Sequence, residues 1–250
     1  MKVISLNAWG GRTHDILKNF LEKYKNDIDV FCFQEVYHNA QGKLIEEWWN
    51  DGKIDAQLFE NIGKVLTDHK GFFYPHFVDF WGLSIFIKKQ IPILKEGDFF
   101  VHEALSMEIA KKGETSKNVQ YVSFEHKGKI INVINFHGLW TGKGKTDSDN
   151  RIKQSENIVK FLKTLSGEII FCGDFNLKPD TESLKIIEKF GFRNLIKENK
   201  IISTRTSFYT KEERLADYVL VTDGIKVKDF KILPDEVSDH NPIYLDFDLI

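Results

Sequence analysis

Short runs of apolar residues, rich in valine, isoleucine and phenylalanine, recur along the whole chain. Runs of this length, bounded by polar or turn residues, are typical of buried β-strands. We predict strands at Val3 to Leu6, Val30 to Phe33, Leu83 to Ile87, Val119 to Phe124, Ile130 to Phe136, Ile169 to Cys172, Tyr218 to Val221 and Ile243 to Leu249. The chain is therefore expected to be rich in β-structure.

Helical periodicity appears between several of these strands. Apolar residues share one helical face in two stretches, namely Ile16, Leu17, Phe20, Leu21 and Tyr24, and later Ile152, Val159 and Leu162. Trp48 and Trp49 are also expected to pack on a helix face. These helices would cover the sheets from outside, which predicts an α+β fold of stacked layers.

Two local patterns give strand pairings. The last strand alternates, with Ile243, Leu245, Phe247 and Leu249 on one face and Tyr244, Asp246 and Asp248 on the other, so we expect a half-exposed antiparallel strand. The stretch His126-Lys127-Gly128-Lys129 separates two alternating runs and predicts a β-hairpin. No repeat or linker divides the chain, so one domain over residues 1–250 is expected.

Polar residues stand at the ends of six predicted strands. Four strands run into Asn7, Gln34-Glu35, His137, and Asp174 with Asn176, whereas Asp217 and Asp239-His240 precede two others. One such residue is usually a turn residue, but the whole set would share one edge if the last two strands are antiparallel to the others. Converging carboxylates would repel one another without a cation, and oxygen ligands favour Mg²⁺, with Mn²⁺ as the alternative. A phosphate ester is then the expected substrate.

At these residues the sequence resembles the endonuclease/exonuclease/phosphatase superfamily. The matching motifs follow the family's order: Ser5-Leu6-Asn7, Phe33-Gln34-Glu35-Val36, His137-Gly138-Leu139, Gly173-Asp174-Phe175-Asn176, Ala216-Asp217-Tyr218-Val219 and Ser238-Asp239-His240-Asn241-Pro242. The resemblance implies a four-layer α/β/β/α sandwich like that of deoxyribonuclease I, with two mixed sheets packed between helices. It also implies metal-assisted attack of water on phosphorus.

The resemblance assigns a role to each of these residues. It implies that Glu35, Asn7 and Asp239 hold the metal, and that Asp174 activates the attacking water while Asn176 holds the phosphate. His240 would contact the phosphate, with its tautomer fixed by Asp217, and His137 would face the phosphate and protonate the leaving oxygen. Trp9 and His137 depart from the pattern of the abasic-site endonucleases, which lowers the weight of that activity.

Several residues near these motifs are candidates for substrate contact. Trp9 and Trp140 would stack on the substrate or line an apolar pocket. The polar stretch after Trp140 offers Lys143, Lys145 and Arg151 to a phosphate, and Arg205 stands in another polar insertion. Packing for the tryptophans, surface roles for the lysines and Arg205, and bonds from Arg151 to its N-terminal neighbours at the start of a helix remain open alternatives.

Composition limits the function further. The net charge is −2, from 35 basic and 37 acidic residues, so nucleic acid is allowed as a partner but not indicated. No membrane span or secretion signal is found, and we expect a cytoplasmic protein. Cys32 and Cys172 lie in apolar runs and are expected to be buried thiols, which makes a thiol enzyme an unfavoured alternative.

These observations predict an enzyme that hydrolyses a phosphodiester or phosphomonoester with Mg²⁺. A DNA or RNA nuclease of the same superfamily is the first alternative. A non-catalytic binding module on the same fold is the second, although the metal ligands and both histidines are retained.

Overall fold

The strands form two six-stranded sheets in a computed structural model that describes residues 1–43, 52–104, 108 and 114–250. The strands are β1 (Lys2–Asn7), β2 (Val30–Tyr37), β3 (His69–Val78), β4 (Trp81–Lys88), β5 (Ile93–His102), β6 (Lys117–His126), β7 (Lys129–His137), β8 (Glu168–Asp174), β9 (Arg193–Asn194), β10 (Asp217–Val221), β11 (Ile225–Ile232) and β12 (Ile243–Leu249). The helices are α1 (Asp15–Tyr24), α2 (Leu58–Val65), α3 (Asp149–Leu162), α4 (Glu182–Glu188) and α5 (Leu195–Glu198), with a 3-10 turn at Trp9–Gly11. Trp48 and Trp49 lie outside the described residues.

Strand direction brings the polar strand ends to one rim. The first sheet has the order β11-β12-β1-β2-β4-β3 and the second β5-β6-β7-β8-β10-β9. In each sheet one central pair is parallel, β1 with β2 and β7 with β8. Strands β12 and β10 run antiparallel to β1 and β8, so they begin where their neighbours end.

The sheets pack face to face between outer helices, which confirms the predicted four-layer α+β sandwich. Between the sheets, Val3, Val30 and Ile85 of the first pack with buried residues of the second. On the outer face of the first sheet, Phe31 and Phe33 pack with apolar residues of α1 and α2. The alternation of side chains along each strand supplies both layers with apolar surface.

Every predicted strand lies within an observed strand. The predicted hairpin joins β6 to β7, with His126 opposite Lys129 and positive φ at Lys127 (52°) and Gly128 (78°), as a two-residue hairpin turn requires. One expectation was wrong in part: Tyr244, on the outer face of β12, is only 7% exposed because it packs with the residues of α1.

Four strands were not predicted, namely β3, β5, β9 and β11. All four are edge strands of their sheets. Edge strands tolerate charged and polar residues because one side of the backbone faces no partner strand. The apolar runs therefore identified only the interior strands.

Both cysteines, Cys32 and Cys172, are free and buried, as expected. Within the described residues, no helix has the length and apolar character needed to cross a membrane.

Candidate active site

Three predicted site residues form one row across the second sheet. His137 is paired in register with Asp174, and Asp174 with Asp217. In the first sheet Asn7 at the end of β1 lies opposite Gln34, next to Glu35. The two rows meet where Asn7 Nδ2 donates to Glu35 Oε1 (3.1 Å) and to Asp174 Oδ2 (3.2 Å).

An irregularity in β2 directs Glu35 toward this rim. The pairing of β2 with β4 shifts register between Phe33 and Val36, and Glu35 has a φ of 55°. A bulge of this kind turns a side chain out of the regular alternation, and a positive φ is not a regular strand conformation for a residue other than glycine. Asn176 has the same kind of backbone, with a φ of 53°.

Gly173 lets strands β7 and β8 come close just before Asp174. Its φ is +139°, and a Cβ there would stand 2.0 Å from the carbonyl oxygen of Phe136. Any larger residue would therefore push Asp174 away from its neighbours.

Asp174 lies at the centre of the cluster and is 2% exposed. Its Oδ1 accepts from the Asn176 backbone N–H at 2.9 Å, and its Oδ2 lies 3.5 Å from His240 Nε2 and 4.0 Å from Arg205 Nη2. Burial alone would raise the pKa of Asp174, but the charges of His240 and Arg205 outweigh burial and hold that pKa well below its usual range. The carboxylate is therefore ionised and can accept a proton.

His240 is held from behind by Asp217. Its Nδ1 lies 2.7 Å from Asp217 Oδ1, and the other Asp217 oxygen accepts from the Thr204 hydroxyl. Burial and Arg205 lower the pKa of His240, but Asp217, Asp174 and Asp239 raise it more, so the pKa stands above its usual value. This pairing also fixes which ring nitrogen faces Asp174.

His137 has a different environment. Its Nε2 lies 3.8 Å from Glu35 Oε1, and its ring stands edge-on to Trp81 with centroids 6.2 Å apart. Burial and the nearby Lys117 lower the pKa of His137 well below its usual value. Near neutral pH it is an uncharged imidazole that can donate one hydrogen bond.

A cation site needs oxygen atoms that are not already engaged. Among the described residues, Asp174, Asp217 and His240 lie close enough to share an ion, with ligand atoms within 4.8 Å. Both Asp217 oxygens and His240 Nδ1 are, however, already used in hydrogen bonds. We therefore interpret this cluster as a set of contacts that orients His240, and not as the cation site.

Glu35 and Asp239 fit a divalent cation better. Both line one cavity, and burial together with the charge of Asp239 raises the pKa of Glu35. A hard cation beside these two carboxylates would stabilise their charge. Asn7 lies beside Glu35, where its Nδ2 donates to Glu35 Oε1 and its Oδ1 accepts from the Trp9 N–H at 3.0 Å, so Asn7 orients Glu35. The carboxylate oxygens of Glu35 and Asp239 suit Mg²⁺ or Mn²⁺ rather than zinc.

The cavity above these residues has a volume of about 350 Å³. Ten predicted site residues line it: Trp9, Glu35, His137, Trp140, Lys145, Asp174, Asn176, Arg205, Asp239 and His240. Asn7 and Asp217 lie directly behind the lining, where they hold Glu35, Asp174 and His240. Arg205 is buried, and its guanidinium contacts His240 Nε2 and lies 3.4 Å from Asp239 Oδ2.

Arg151 is placed differently from the other candidates. It is 2% exposed and does not line the cavity; its Nε donates to the Leu139 carbonyl (3.1 Å) and its Nη1 to the Thr146 carbonyl. These contacts join the ends of the loop that follows His137. Arg151 thus stabilises the conformation of this loop.

The cavity also contains residues that the sequence did not single out. Lys117, Tyr209, Lys211 and Arg12 line it, and each cation lies over an aromatic ring, Lys117 over Trp81 at 5.0 Å for example. None of them stands in a motif or directly at the end of a predicted strand, so no sequence signal marked them. Burial lowers the pKa of Lys117 to about 8.

Comparison with known proteins gives a family match over most of the chain. The model of the endonuclease/exonuclease/phosphatase family matches residues 4–240. A UPF0294 protein of Vibrio parahaemolyticus is 29% identical over 122 residues, which cover 49% of this chain and 41% of that protein. A UPF0294 protein of Vibrio campbellii is 27% identical over 134 residues, covering 53% and 45%. The matches span less than half the length of these relatives.

Solved structures share the fold at low identity. The mannosyl-6-phosphatase of Bacteroides thetaiotaomicron is 15% identical, with 100% of both chains covered and a TM-score of 0.76. An endonuclease/exonuclease/phosphatase from Bacteroides vulgatus is 17% identical, with 100% and 98% covered and a TM-score of 0.74. The human Nocturnin catalytic domain is 17% identical, with 100% and 93% covered and a TM-score of 0.70. These likenesses establish the two-sheet sandwich.

Proposed function

Because this chain belongs to the endonuclease/exonuclease/phosphatase family, we propose that it is a Mg²⁺-dependent hydrolase of phosphate esters. The observation that carries the proposal is the environment of Asp174. This ionised carboxylate is held by Asn7 and faces His240 and Arg205 in a cavity that also contains Glu35 and Asp239. Such a site combines a proton acceptor with cations for a phosphate and carboxylates for a metal.

Each residue has a task in hydrolysis. Asp174 orients the attacking water and accepts its proton, and Asn176 helps to position the phosphate in line with the water. His240, oriented by Asp217, donates to a phosphate oxygen and stabilises the charge that develops in the transition state. His137 donates toward the leaving oxygen, and Arg205 neutralises phosphate charge.

Glu35 and Asp239, with Asn7 beside them, are the residues that would hold Mg²⁺. When bound, the cation supplies Lewis-acid stabilisation of phosphate charge. Mn²⁺ has similar ligand preferences and is the alternative cofactor.

A nuclease is the second candidate, and one observation favours it. The Trp140 side chain is 44% exposed at the rim of the cavity, where an aromatic ring can stack on a base. The fold does not choose between these activities, because one fold can carry different reactions.

The test is a hydrolysis assay of the purified chain with Mg²⁺ or Mn²⁺ on plasmid DNA, RNA, bis-p-nitrophenyl phosphate, sugar phosphates, nucleotides and sphingomyelin. Asp174→Asn and His240→Ala variants serve as controls for contaminating activity. We expect turnover that is lost with EDTA and in both variants. If the folded, metal-binding protein turns over none of these substrates, the proposal is wrong and the binding-module alternative gains weight.

A further inference from the structure

Lys145 is a buried cation that lines the candidate active site. It is 4% exposed, and its Nζ has no hydrogen-bond partner in the part of the chain that the structure describes. Lys143, two residues earlier on the same loop, is exposed and does not line the cavity. A buried ammonium without an acceptor is costly and is rarely retained without a ligand.

The backbone around Lys145 is fixed on both sides. The Lys145 carbonyl accepts from the Lys178 N–H at 2.9 Å, and the next carbonyl, that of Thr146, accepts from the buried Arg151. The loop that carries Lys145 is therefore fixed by hydrogen bonds, and it holds the ammonium in the cavity. Such preorganisation lowers the entropy lost when a ligand binds.

Lys145 and Arg205 lie against the same aromatic ring. The Lys145 Nζ is 5.3 Å and the Arg205 Cζ 4.2 Å from the centroid of the Tyr209 ring. Burial lowers the pKa of Lys145, and the charge of Arg205 lowers it further, although Asp174 opposes both effects. Two like charges placed together in this way favour an anion between them.

The cavity as a whole carries excess positive charge. Its lining has five cationic side chains, Arg12, Lys117, Lys145, Arg205 and Lys211, against three carboxylates, Glu35, Asp174 and Asp239. A bound divalent cation would increase this excess, whereas the whole chain has a net charge of −2. The lining thus has two more cationic than anionic side chains around a cavity of about 350 Å³, which suits a small anion.

We propose that Lys145, together with Arg205 on Tyr209, binds the second negative charge of a terminal phosphoryl group, so that the preferred substrate is a small phosphomonoester. This inference rests on the proposed function, because it assumes that the reacting phosphorus lies beside Asp174. A phosphomonoester carries two charges near neutral pH and a diester only one. A diester also places an organic group where Lys145 would otherwise meet a free oxygen.

The reaction then has a defined balance. The water oxygen bonds to phosphorus while the bond from phosphorus to the ester oxygen breaks. Asp174 accepts a water proton and later releases it to solvent, the leaving oxygen takes a proton from solvent, and an alcohol and inorganic phosphate are released. Lys145 and Arg205 hold free phosphoryl oxygens throughout and exchange no proton.

The test compares two esters that have the same leaving group, p-nitrophenyl phosphate and methyl p-nitrophenyl phosphate, at about pH 7 with Mg²⁺. We expect wild-type kcat/KM to favour the monoester. Lys145→Gln should lower kcat/KM for the monoester about tenfold or more, with much less effect on the diester. Lys145→Arg should retain most of the preference, and Lys143→Gln, which removes the same charge from the exposed neighbour, should behave as wild type.

The monoester-to-diester ratio within one variant does not depend on the fraction of folded protein. An equal loss on both esters in Lys145→Gln, or a wild-type preference for the diester, would overturn the inference.

A binding measurement separates this inference from the proposed function. Calorimetric titration with phenylphosphonate and with methyl(phenyl)phosphinate, a monoanion that has no ester bond, requires no turnover, since both organic groups are joined to phosphorus through carbon. We expect the dianion to bind wild type about tenfold more tightly than the monoanion, and Lys145→Gln to lose that difference. Turnover without this difference refutes the role of Lys145, whereas the difference without turnover refutes only the hydrolase.

Discussion

The replacement Asp217→Asn tests how the site controls His240. Asp217 Oδ1 lies 2.7 Å from His240 Nδ1, and Asp217 and His240 are 4% and 3% exposed. An asparagine can still accept from Nδ1–H and can donate to the Thr204 hydroxyl, so the geometry survives while the negative charge is lost. The variant therefore isolates the electrostatic effect of Asp217.

The expected size of the effect follows from this contact. A hydrogen bond between buried charged partners contributes about 1.5–3 kcal/mol, which corresponds to a fall in kcat of about 10- to 100-fold. Among the residues that raise the pKa of His240, Asp217 has the largest effect. Its loss lowers that pKa, so protonated His240 disappears at a lower pH and the alkaline limb of the kcat profile moves down.

The measurement is a pH–rate profile together with a Mg²⁺ titration of the folded variant. Asp223→Asn removes the same charge from an exposed residue just beyond the other end of β10 and should change neither result. Full kcat with the alkaline limb in place would show that Asp217 does not control His240. Loss of Mg²⁺ binding would instead identify Asp217 as a metal ligand.

Three further predictions concern the cation site, a buried lysine and the loop. Glu35→Gln should weaken Mg²⁺ binding at least tenfold, as measured by calorimetry. Asp174→Asn should keep Mg²⁺ binding, and its kcat should fall about 10²- to 10⁴-fold in a kinetic assay. Lys117→Met should raise the Tm near pH 7, because the folded pKa of about 8 lies below the unfolded value of 10.5 and the protonated lysine costs on the order of 3 kcal/mol. That cost fades as pH rises from about 8 to 10.5, so wild type should gain stability over this window and the variant should not; equal pH dependence would contradict the burial argument. Arg151→Ala should lower the free energy of unfolding by about 1–3 kcal/mol in urea denaturation, since Leu139 and Thr146 lose their donor, and a neutral result would show that the loop holds without it.

The interior strands and the edge strands differ in how far the sequence predicted them. Strands β1, β2, β7 and β8 carry near-continuous apolar runs because both of their faces are buried. The edge strand β11 alternates lysine and aspartate with apolar residues, and β3 contains a proline, so neither forms an apolar run. A strand that is buried on both faces has a continuous run of apolar residues, which is easy to recognise in the sequence. An edge strand that is buried on one face has a weaker pattern.

The site residues also differ in how far the sequence predicted them. Asn7, Glu35, Asp174 and His240 stand in short motifs at strand ends, so the sequence located them and the resemblance proposed their roles. Lys117 enters the cavity from the start of an interior strand, and the sequence around it carries no comparable signal. For Arg151 the sequence left open a substrate phosphate or bonds to its N-terminal neighbours. The structure places its guanidinium on the Leu139 and Thr146 carbonyls, because its contacts depend on how residues 139–146 fold back.

The sequence by itself determined the eight interior strands and the polar residues at their ends, because strand burial and strand-end motifs are local properties of the chain. Only the tertiary structure decided which cations meet around Tyr209, that Asp217 is already engaged by Thr204 and His240, and which charged side chains line the cavity. The physical reason is that these contacts join residues far apart along the chain. Their distances follow from how the sheets and loops pack, and no local pattern encodes them.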